Sequence, residues 1–168
     1  MFRSIAFQAL GAALTVSFAM PGAAQQAGYS LSTHSAVIEI EVSSAVTMTL
    51  DEPFSEISSA NTEIADIATL SQTQLYLSGK TIGETTLSVL RDGESMGVTD
   101  YKIVVYRDIT PLQTFLAGTS AGVELTRDGV VIMAKGCVDG PRAASAALRV
   151  VTELEDWGYV TLADIPNC

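Results

Sequence analysis

The sequence contains one histidine, two cysteines and few basic residues, and each of these shortages excludes a class of function. A metal site needs several convergent ligands, and His34 with two distant cysteines has none of the usual ligand spacings. Only 9 Lys and Arg residues stand against 19 Asp and Glu residues, which gives a net charge of −10. Such a chain repels the phosphates of nucleic acids and the head groups of anionic lipids. We therefore expect no metal, no cofactor and no nucleic acid.

Two short motifs resemble catalytic sequences but lie in the wrong structural context. Residues 118–122, Gly-Thr-Ser-Ala-Gly, match a nucleophile elbow, which requires a strand before the serine and a helix after it. The sequence predicts the opposite order here, and the single histidine precedes the serine instead of following it. Residues 79–81, Gly-Lys-Thr, match the end of a phosphate-binding loop, but Gln74 occupies the place of its first glycine and a strand follows. We therefore expect a protein that is not an enzyme.

Residues 1–24 have the three parts of a secretory signal peptide. Arg3 supplies the positive charge, Ile5–Met20 is mostly apolar, and small residues lead to a predicted cleavage after Ala24. The alternative is a membrane anchor, but the apolar run is short for one and no basic cluster follows it. Loss of Arg3 with the signal leaves 8 basic against 19 acidic residues and changes the net charge from −10 to −11. We expect a periplasmic protein with a flexible lead-in over residues 25–35 and no membrane span after the signal.

Residues 36–107 alternate apolar and polar side chains in short runs, which is the pattern of β-strands. The predicted strands are Val37–Val42, Val46–Leu50, Ile64–Leu70, Leu75–Leu77, Leu87–Val89 and Thr99–Tyr106. Asp92-Gly93 is the expected hairpin turn before the last strand. Gly79 and Gly83 lie in a turn between two of these strands, where each would supply a positive φ or a close backbone approach. Short strands at this spacing predict a small β-sandwich.

The pattern changes at Arg107-Asp108, and residues 108–168 predict a second domain that contains helices. The first helix, Ile109–Ala117, has Thr110 as its predicted N-cap and Pro111 at its first position. A hairpin, a second helix and a final strand follow in the order α-β-β-α-β, at Val123–Thr126, Val130–Ala134, Arg142–Asp156 and Tyr159–Leu162. The predicted core face of the second helix consists of Ala144, Ala147, Leu148, Val151 and Leu154. The whole chain is thus predicted to be mostly β, with an α+β second half.

Cys137 and Cys168 are the two cysteines, and an exported chain meets an oxidising compartment. An intramolecular disulfide between them would close a loop of about 30 residues and stabilise the fold by roughly 3 to 4 kcal/mol. The alternatives are two free thiols or an intermolecular bridge through Cys168. We favour the intramolecular bond, because both chain ends of a shared sheet can approach within bonding distance.

The segment around the two glycines resembles a known family. Gly79-Lys80-x-x-Gly83-x-Thr85-Thr86-Leu87 is similar to the Gly-Lys-x-x-Gly-x-Thr-x-Leu core of the pilus-formation N-terminal domain. That domain opens the outer-membrane secretins of tight-adherence (Flp-type) pilus systems. The upstream run from Val46 to Ile57 and the Ile-Ala-Asp-Ile segment at residues 64–67 are similar to its first half. The resemblance covers about Val37 to Tyr106.

The second half resembles a BON domain, which follows the N-terminal module in the same secretins. The resemblance rests on the α-β-β-α-β order and on a strand that ends in Gly136-Cys137-Val138 before an alanine-rich helix. In secretins the two domains stack into periplasmic rings below an outer-membrane barrel. This chain reaches Cys168 without a barrel-forming region, so we expect it not to be the pore.

The two resemblances together imply a non-enzymatic periplasmic subunit of a pilus machine that docks on secretin rings through exposed sheet edges. The implied partner is a pilus secretin or a second copy of the chain. The alternative is a free-standing envelope protein whose BON-like domain binds outer-membrane or cell-wall material, with peripheral association at the outer membrane. Co-purification with a secretin would favour the first interpretation, and binding to envelope material without a secretin would favour the second.

Overall fold

The computed structural model describes residues 36–91, 97–119 and 121–168, which contain ten strands and two helices. The predicted signal peptide with its cleavage site at Ala24, the lead-in that contains His34, and the Asp92-Gly93 turn lie outside the described residues. The described residues belong to one compact unit, within which the strands and helices separate into two modules, each with its own hydrophobic cluster. The fold is mostly β and belongs to the α+β class.

The N-terminal module, residues 36–107, consists of seven strands in two sheets. The strands are β1 (Val37–Glu41), β2 (Ala45–Thr49), β3 (Phe54–Ser59), β4 (Ala65–Thr69), β5 (Gln74–Gly79), β6 (Gly83–Arg91) and β7 (Gly97–Tyr106). One sheet has the order β1-β7-β6-β3, and the other has the order β2-β5-β4. Strand β1 runs parallel to β7, and the other pairs are antiparallel.

Side chains from both sheets form one core in this module, because alternate residues of each strand point to the same side. Its buried members are Ile40, Leu50, Ala65, Leu75, Leu77, Leu87, Val89, Tyr101, Ile103 and Val105. The alternation that predicted strands at residues 75–77 and 87–89 therefore also identified core positions. Strand β3 was not predicted, because its sequence is rich in serine. In the structure its pairing with β6 is interrupted by a bulge between Phe54 and Glu56.

The two strands on either side of the glycine turn are consecutive in sequence but do not pair with each other. Strand β5 is the centre of the three-stranded sheet, and β6 lies in the four-stranded sheet. Residues 80–82 therefore carry the chain from one sheet to the other. A turn between strands was correctly expected here, and the change of sheet is what the structure adds.

The C-terminal module, residues 108–168, has the predicted order α-β-β-α-β. Its elements are α1 (Thr110–Gly118), β8 (Ala121–Asp128), β9 (Val131–Val138), α2 (Gly140–Asp156) and β10 (Val160–Asp164). The sheet order is β10-β9-β8, with β9 and β10 parallel and β8 antiparallel to β9. Both helices contribute to the core, whose buried members are Leu116, Val123, Ile132, Ala134, Val138, Ala143, Ala147, Val150, Leu154 and Tyr159.

Two details of the helix ends differ from the prediction. The N-cap of α1 is Ile109 and not Thr110, which is the first helical residue. The backbone N–H of Thr110 donates to Oδ1 of Asp108 at 2.9 Å, so the capping acceptor lies two residues earlier than predicted. Hydrogen bonds from the side chain of Thr110 and then from its backbone N–H lower the pKa of Asp108 below its usual value, since they stabilise the carboxylate form. Helix α2 begins at Gly140, two residues before the predicted start.

The predicted core face of α2 was partly wrong. The buried residues are Ala143, Ala146, Ala147, Val150 and Leu154, whereas Leu148 is 67 % exposed. The helix has more apolar residues than one face can hold, so two stripes fit the helical period equally well. The structure buries the stripe that is richer in alanine, because small side chains allow the helix to lie close to the sheet. Leu148 is thereby left at the surface.

Candidate functional site

The two motif glycines permit close packing between strands. A Cβ atom on Gly79 would lie 2.9 Å from the carbonyl oxygen of Glu41 and 3.0 Å from Cγ1 of Val105. A Cβ atom on Gly83 would lie 2.7 Å from Cδ1 of Ile64. Positive φ angles occur at four other glycines of the described ranges and not at these two. Close approach, and not a left-handed backbone, is therefore the reason for glycine at both positions.

Replacing Gly79 with alanine is expected to lower the free energy of unfolding by roughly 1 to 3 kcal/mol, the usual cost of an overpacked core. The obstacle is a backbone oxygen, which cannot rotate away as a side chain can. Gly118→Ala is the matched control, because a Cβ there has no neighbour within 4 Å. It should raise stability by about 0.5 to 1 kcal/mol, since the residue is helical. Urea denaturation of both variants checks the pair, and equal effects would contradict this account of Gly79.

The remaining motif residues connect the turn to its surroundings. Leu87 is fully buried, and Thr85 is 7 % exposed; the Oγ1 of Thr85 accepts a hydrogen bond from the backbone N–H of Asn61 at 3.0 Å. The backbone carbonyl of Thr86 accepts from the N–H of Ala60 at 2.9 Å. The side chain of Lys80 forms an ion pair with Asp66 at 3.1 Å. These contacts hold residues 60–66 against strands β5 and β6, which is a structural role.

The ion pair of Lys80 also determines the protonation of its partner. The hydrogen bond from Lys80, the backbone N–H of Ile67 and the charge of Lys80 together lower the pKa of Asp66 below its usual value. Both side chains of the pair are about half exposed, so the pair contributes little to stability. Lys80 is therefore bound to a neighbour and is not a free cation for a phosphate.

A cluster of charged and aromatic side chains joins the two modules, and we call it the module junction. Arg127 of β8 donates from Nη1 and Nη2 to the two carboxylate oxygens of Glu39 in β1, at 3.1 and 3.3 Å. Its guanidinium also lies 4.3 Å from the ring centroid of Tyr106, which is within the range of a cation–π contact. Burial by itself would lower the pKa of Arg127, but the hydrogen bonds and charge of Glu39 outweigh it and raise the pKa. Arg127 therefore remains charged and attaches β8 to the N-terminal module.

A second set of junction contacts surrounds the segment between the modules. The hydroxyl of Tyr159 accepts from the backbone N–H of Arg107 at 2.8 Å and donates to the carbonyl of the same residue at 2.9 Å. The guanidinium of Arg107 lies 4.7 Å from the ring centroid of Trp157. Tyr159 itself is 4 % exposed. The segment between the modules is thus held at Arg107 by hydrogen bonds to the buried Tyr159 and by the contact of its guanidinium with Trp157.

The contacts across the junction were not predicted from the sequence. The change of period at Arg107-Asp108 is a local signal and predicted the end of the first module. The pairing of Arg127 with Glu39 spans 88 residues, and a charge on a strand is most often solvated, so nothing local indicated it. The contact between Arg107 and Trp157 also joins residues that are far apart in the sequence. Its one sequence signal was that Trp157 is the single tryptophan of the chain.

The ionisation of Tyr159 makes the junction sensitive to high pH. Burial raises its pKa, and the backbone hydrogen bond of Arg107 and the charges of Arg127 and Arg107 partly offset that rise. A group whose pKa is higher in the folded state contributes its full stability below the unfolded value, which is about 10 for tyrosine. That contribution is lost as the pH rises through the folded pKa.

We therefore expect the unfolding midpoint of the wild-type protein to fall above about pH 10, and Tyr159→Phe to show a smaller fall. Tyr159→Phe should also cost about 1 to 3 kcal/mol at neutral pH, because it removes two hydrogen bonds from Arg107. Tyr76→Phe is the control, since Tyr76 is 42 % exposed. Thermal melts between pH 7 and 11 measure both effects. A pH profile for Tyr159→Phe that is identical to the wild-type profile would contradict the assignment.

The two cysteines lie together at the end of the C-terminal module. Cys137 and Cys168 form a disulfide with their Cα atoms 5.2 Å apart, within the range such a bond requires. Backbone hydrogen bonds join the same segments: Val138 donates to the carbonyl of Pro166, and Cys168 donates to the carbonyl of Val138, each at 3.0 Å. The disulfide therefore holds residues 165–168 beside β9.

The candidate catalytic features do not assemble into a site in the part of the chain that the structure describes. No cluster of three or more metal-ligating side chains occurs among those residues. Helix α1 ends at Gly118, the first residue of the Gly-x-Ser-x-Gly segment, and β8 begins at Ala121, so the order of helix and strand is the reverse of a nucleophile elbow. No helix within the described ranges is long and apolar enough to cross a membrane.

The fold defines an α+β protein in which a seven-stranded, two-sheet module is joined to an α-β-β-α-β module. Residues 34–106 match the family model described as the pilus formation protein N-terminal region. The match spans the N-terminal module and ends at its junction with the C-terminal module.

Comparisons with individual proteins add little to that match. No curated protein matches the chain. A solved structure, the cysteine protease inhibitor EhICP2 from Entamoeba histolytica, is similar at 15 % identity and a TM-score of 0.31, over 44 % of this chain and 87 % of the inhibitor chain. A likeness of that size carries no argument about fold or function.

Proposed function

We propose that this protein is a non-enzymatic accessory subunit of a pilus or related secretion machine and that it acts by binding a protein partner in that machine. The observation that carries the proposal is the match of residues 34–106 to the pilus formation protein N-terminal region. The segment that contains Gly79 and Gly83 has a packing role in the structure, so we assign the binding function to exposed surfaces and not to this motif. Non-enzymatic docking is consistent with the structural roles found for Lys80 and Glu39.

The proposal extends to the partner and to the compartment. The partner is a pilus secretin of the tight-adherence type, and the chain docks on its periplasmic ring domains with the N-terminal module acting as a β-sandwich and the C-terminal module as a BON-like domain. Export through a signal peptide cleaved after Ala24 would bring it there, and the Cys137–Cys168 disulfide suits an oxidising compartment. Intact mass of the protein isolated from the periplasm should lack residues 1–24, and a full-length mass would contradict the export.

Binding to the secretin is tested with the mature protein carrying a C-terminal affinity tag in its natural host. After mild cross-linking and extraction of the envelope, we expect the pilus secretin among the captured proteins, and its loss when the pilus locus is deleted. Capture of outer-membrane or cell-wall material from both strains, without the secretin, would contradict the proposal and support an independent envelope protein. Sedimentation of the purified protein separates either result from self-association.

A further inference from the structure

An apolar groove lies between helix α2 and strand β10, and several of its residues were predicted to be core. It is lined mainly by Val138, Ala144, Leu148, Val151, Ile165 and Pro166. Leu148 of α2 is 67 % exposed. An exposed leucine in an apolar groove is typical of a surface that another molecule covers. Among the described residues no segment covers it.

The strand at the border of this groove has a free edge. Strand β10 lies at one end of the sheet and, within the described ranges, pairs only with β9. The N–H of Val160 donates to the carbonyl of Val130 at 3.0 Å. Because backbone groups alternate in direction along a strand, the N–H and C=O groups of Thr161 and Ala163 point away from β9. These groups are available to a strand that is added from outside.

The charges around the groove are mostly negative. Asp139, Glu155 and Asp164 are exposed beside its ends, and none of them takes part in the three ion pairs of the described residues. Lys135 is the register neighbour of Asp164 in β9, and the exposed Arg142 lies three residues after Asp139 at the start of α2. Arg149 of α2 lies on the far side of the helix, 6.0 Å from the ring of Phe115. An occupant with basic residues at its ends would complement this arrangement.

We propose that the groove binds an extended segment of a partner protein, which adds as a strand to β10, places alternate apolar side chains between α2 and residues 165–167, and carries Lys or Arg at its ends. This inference rests on the proposed function and names the docking surface for it. Main-chain hydrogen bonds to Thr161 and Ala163 provide the attachment, and the groove selects the side chains, as in other cases of strand addition. A second copy of the chain is the less suitable occupant, because the net charge of −10 makes two copies repel each other.

The disulfide has a defined part in this site. Ile165 and Pro166 form the wall of the groove that faces α2, and the bond from Cys168 to Cys137 fixes the segment that contains them. Release of that segment would remove one wall. We therefore expect binding to weaken when the disulfide is reduced, even under conditions in which the modules remain folded.

The test uses the mature protein and three synthetic nonapeptides, followed by fluorescence anisotropy. The first peptide is Lys-Lys-Val-Thr-Val-Thr-Val-Lys-Lys, the second has Glu in place of every Lys, and the third has Pro in place of the central Val. We expect the first peptide to bind at least tenfold more tightly than the other two, with binding that weakens as salt is added. Amide hydrogen exchange should slow at Thr161 and Ala163 in the complex.

Variants locate the binding surface. Leu148→Glu should weaken binding of the first peptide at least tenfold, whereas Leu70→Glu should not change it, because Leu70 is similarly exposed at 58 % but lies in the N-terminal module. Absence of binding by the first peptide, equal binding of all three, or equal effects of the two variants would overturn the proposal. The proposal would also be overturned if the wild-type protein formed dimers or bound vesicles without binding the first peptide, and if Leu148→Glu abolished that dimer formation or vesicle binding. Because the test needs no pilus component, its failure is distinct from a failure to capture the secretin.

Discussion

Gly136→Ala is expected to destabilise the C-terminal module more than any other substitution considered. Gly136 lies in β9 with a φ of +139°, and a Cβ atom there would overlap the carbonyl oxygen of Gly122 in β8. Backbone strain costs about 1 to 3 kcal/mol, and an overpacked contact with backbone costs a similar amount. We expect a total loss of roughly 3 to 5 kcal/mol, which is a large part of the stability of a small domain.

Gly140→Ala separates the two causes of that loss. Gly140 also has a positive φ, +83°, but a Cβ atom there has no neighbour within 4 Å. It should therefore cost only about 1 to 2 kcal/mol from the left-handed backbone. The fluorescence of Trp157, which lies in the C-terminal module at the junction, reports urea denaturation of both variants. A loss at Gly136 no larger than that at Gly140 would show that the strands separate easily at this point.

Removal of the disulfide is expected to have the second largest effect. Cys137 and Cys168 are 31 residues apart in sequence, and the chain-entropy relation gives roughly 3 to 4 kcal/mol for a loop of that length. The double substitution of both cysteines by serine should lower the denaturation midpoint followed by Trp157 fluorescence. The bond constrains only the C-terminal module, so it should leave the intrinsic stability of residues 36–107 unchanged.

Reduction of the wild-type protein provides the control for the cysteine variants. Dithiothreitol should shift the wild-type midpoint to that of the double variant and should have no effect on the double variant itself. Thiol counting on the oxidised protein should find no free thiol, and non-reducing electrophoresis should show a monomer. A midpoint that is insensitive to dithiothreitol, or a covalent dimer through Cys168, would contradict the intramolecular bond.

The sequence predicted those features that depend on near neighbours in the chain. Alternation at Leu75 and Leu77 located a buried strand, because a strand that is buried on one face needs apolar residues at every second position. The change of period at Arg107-Asp108 predicted the change from strand to helix, and in the structure β7 ends at Tyr106 and α1 begins at Thr110. Strand β3 lacked that signal, since Phe54–Ser59 contains three serines and a glutamate.

Features that depend on distant residues were not predictable in this way. The period of α2 fitted two faces, and the contact with the sheet decided which one is buried and left Leu148 outside. The change of sheet between β5 and β6 depends on the strands that flank them, which the turn residues do not specify. The bidentate contact of Arg127 with Glu39 joins two strands of different modules, so neither residue could be distinguished from an ordinary surface charge.

The central claim is that the chain serves a pilus or secretion machine, and the number of pili on cells that lack it tests this most directly. An in-frame deletion in the natural host, made without altering neighbouring genes, should greatly reduce the pili counted by electron microscopy while the secretin is still produced. Expression of the wild-type protein from a plasmid should restore them, and a version without residues 1–24 should not, because it would not be exported. A deletion strain with a normal number of pili would contradict the account.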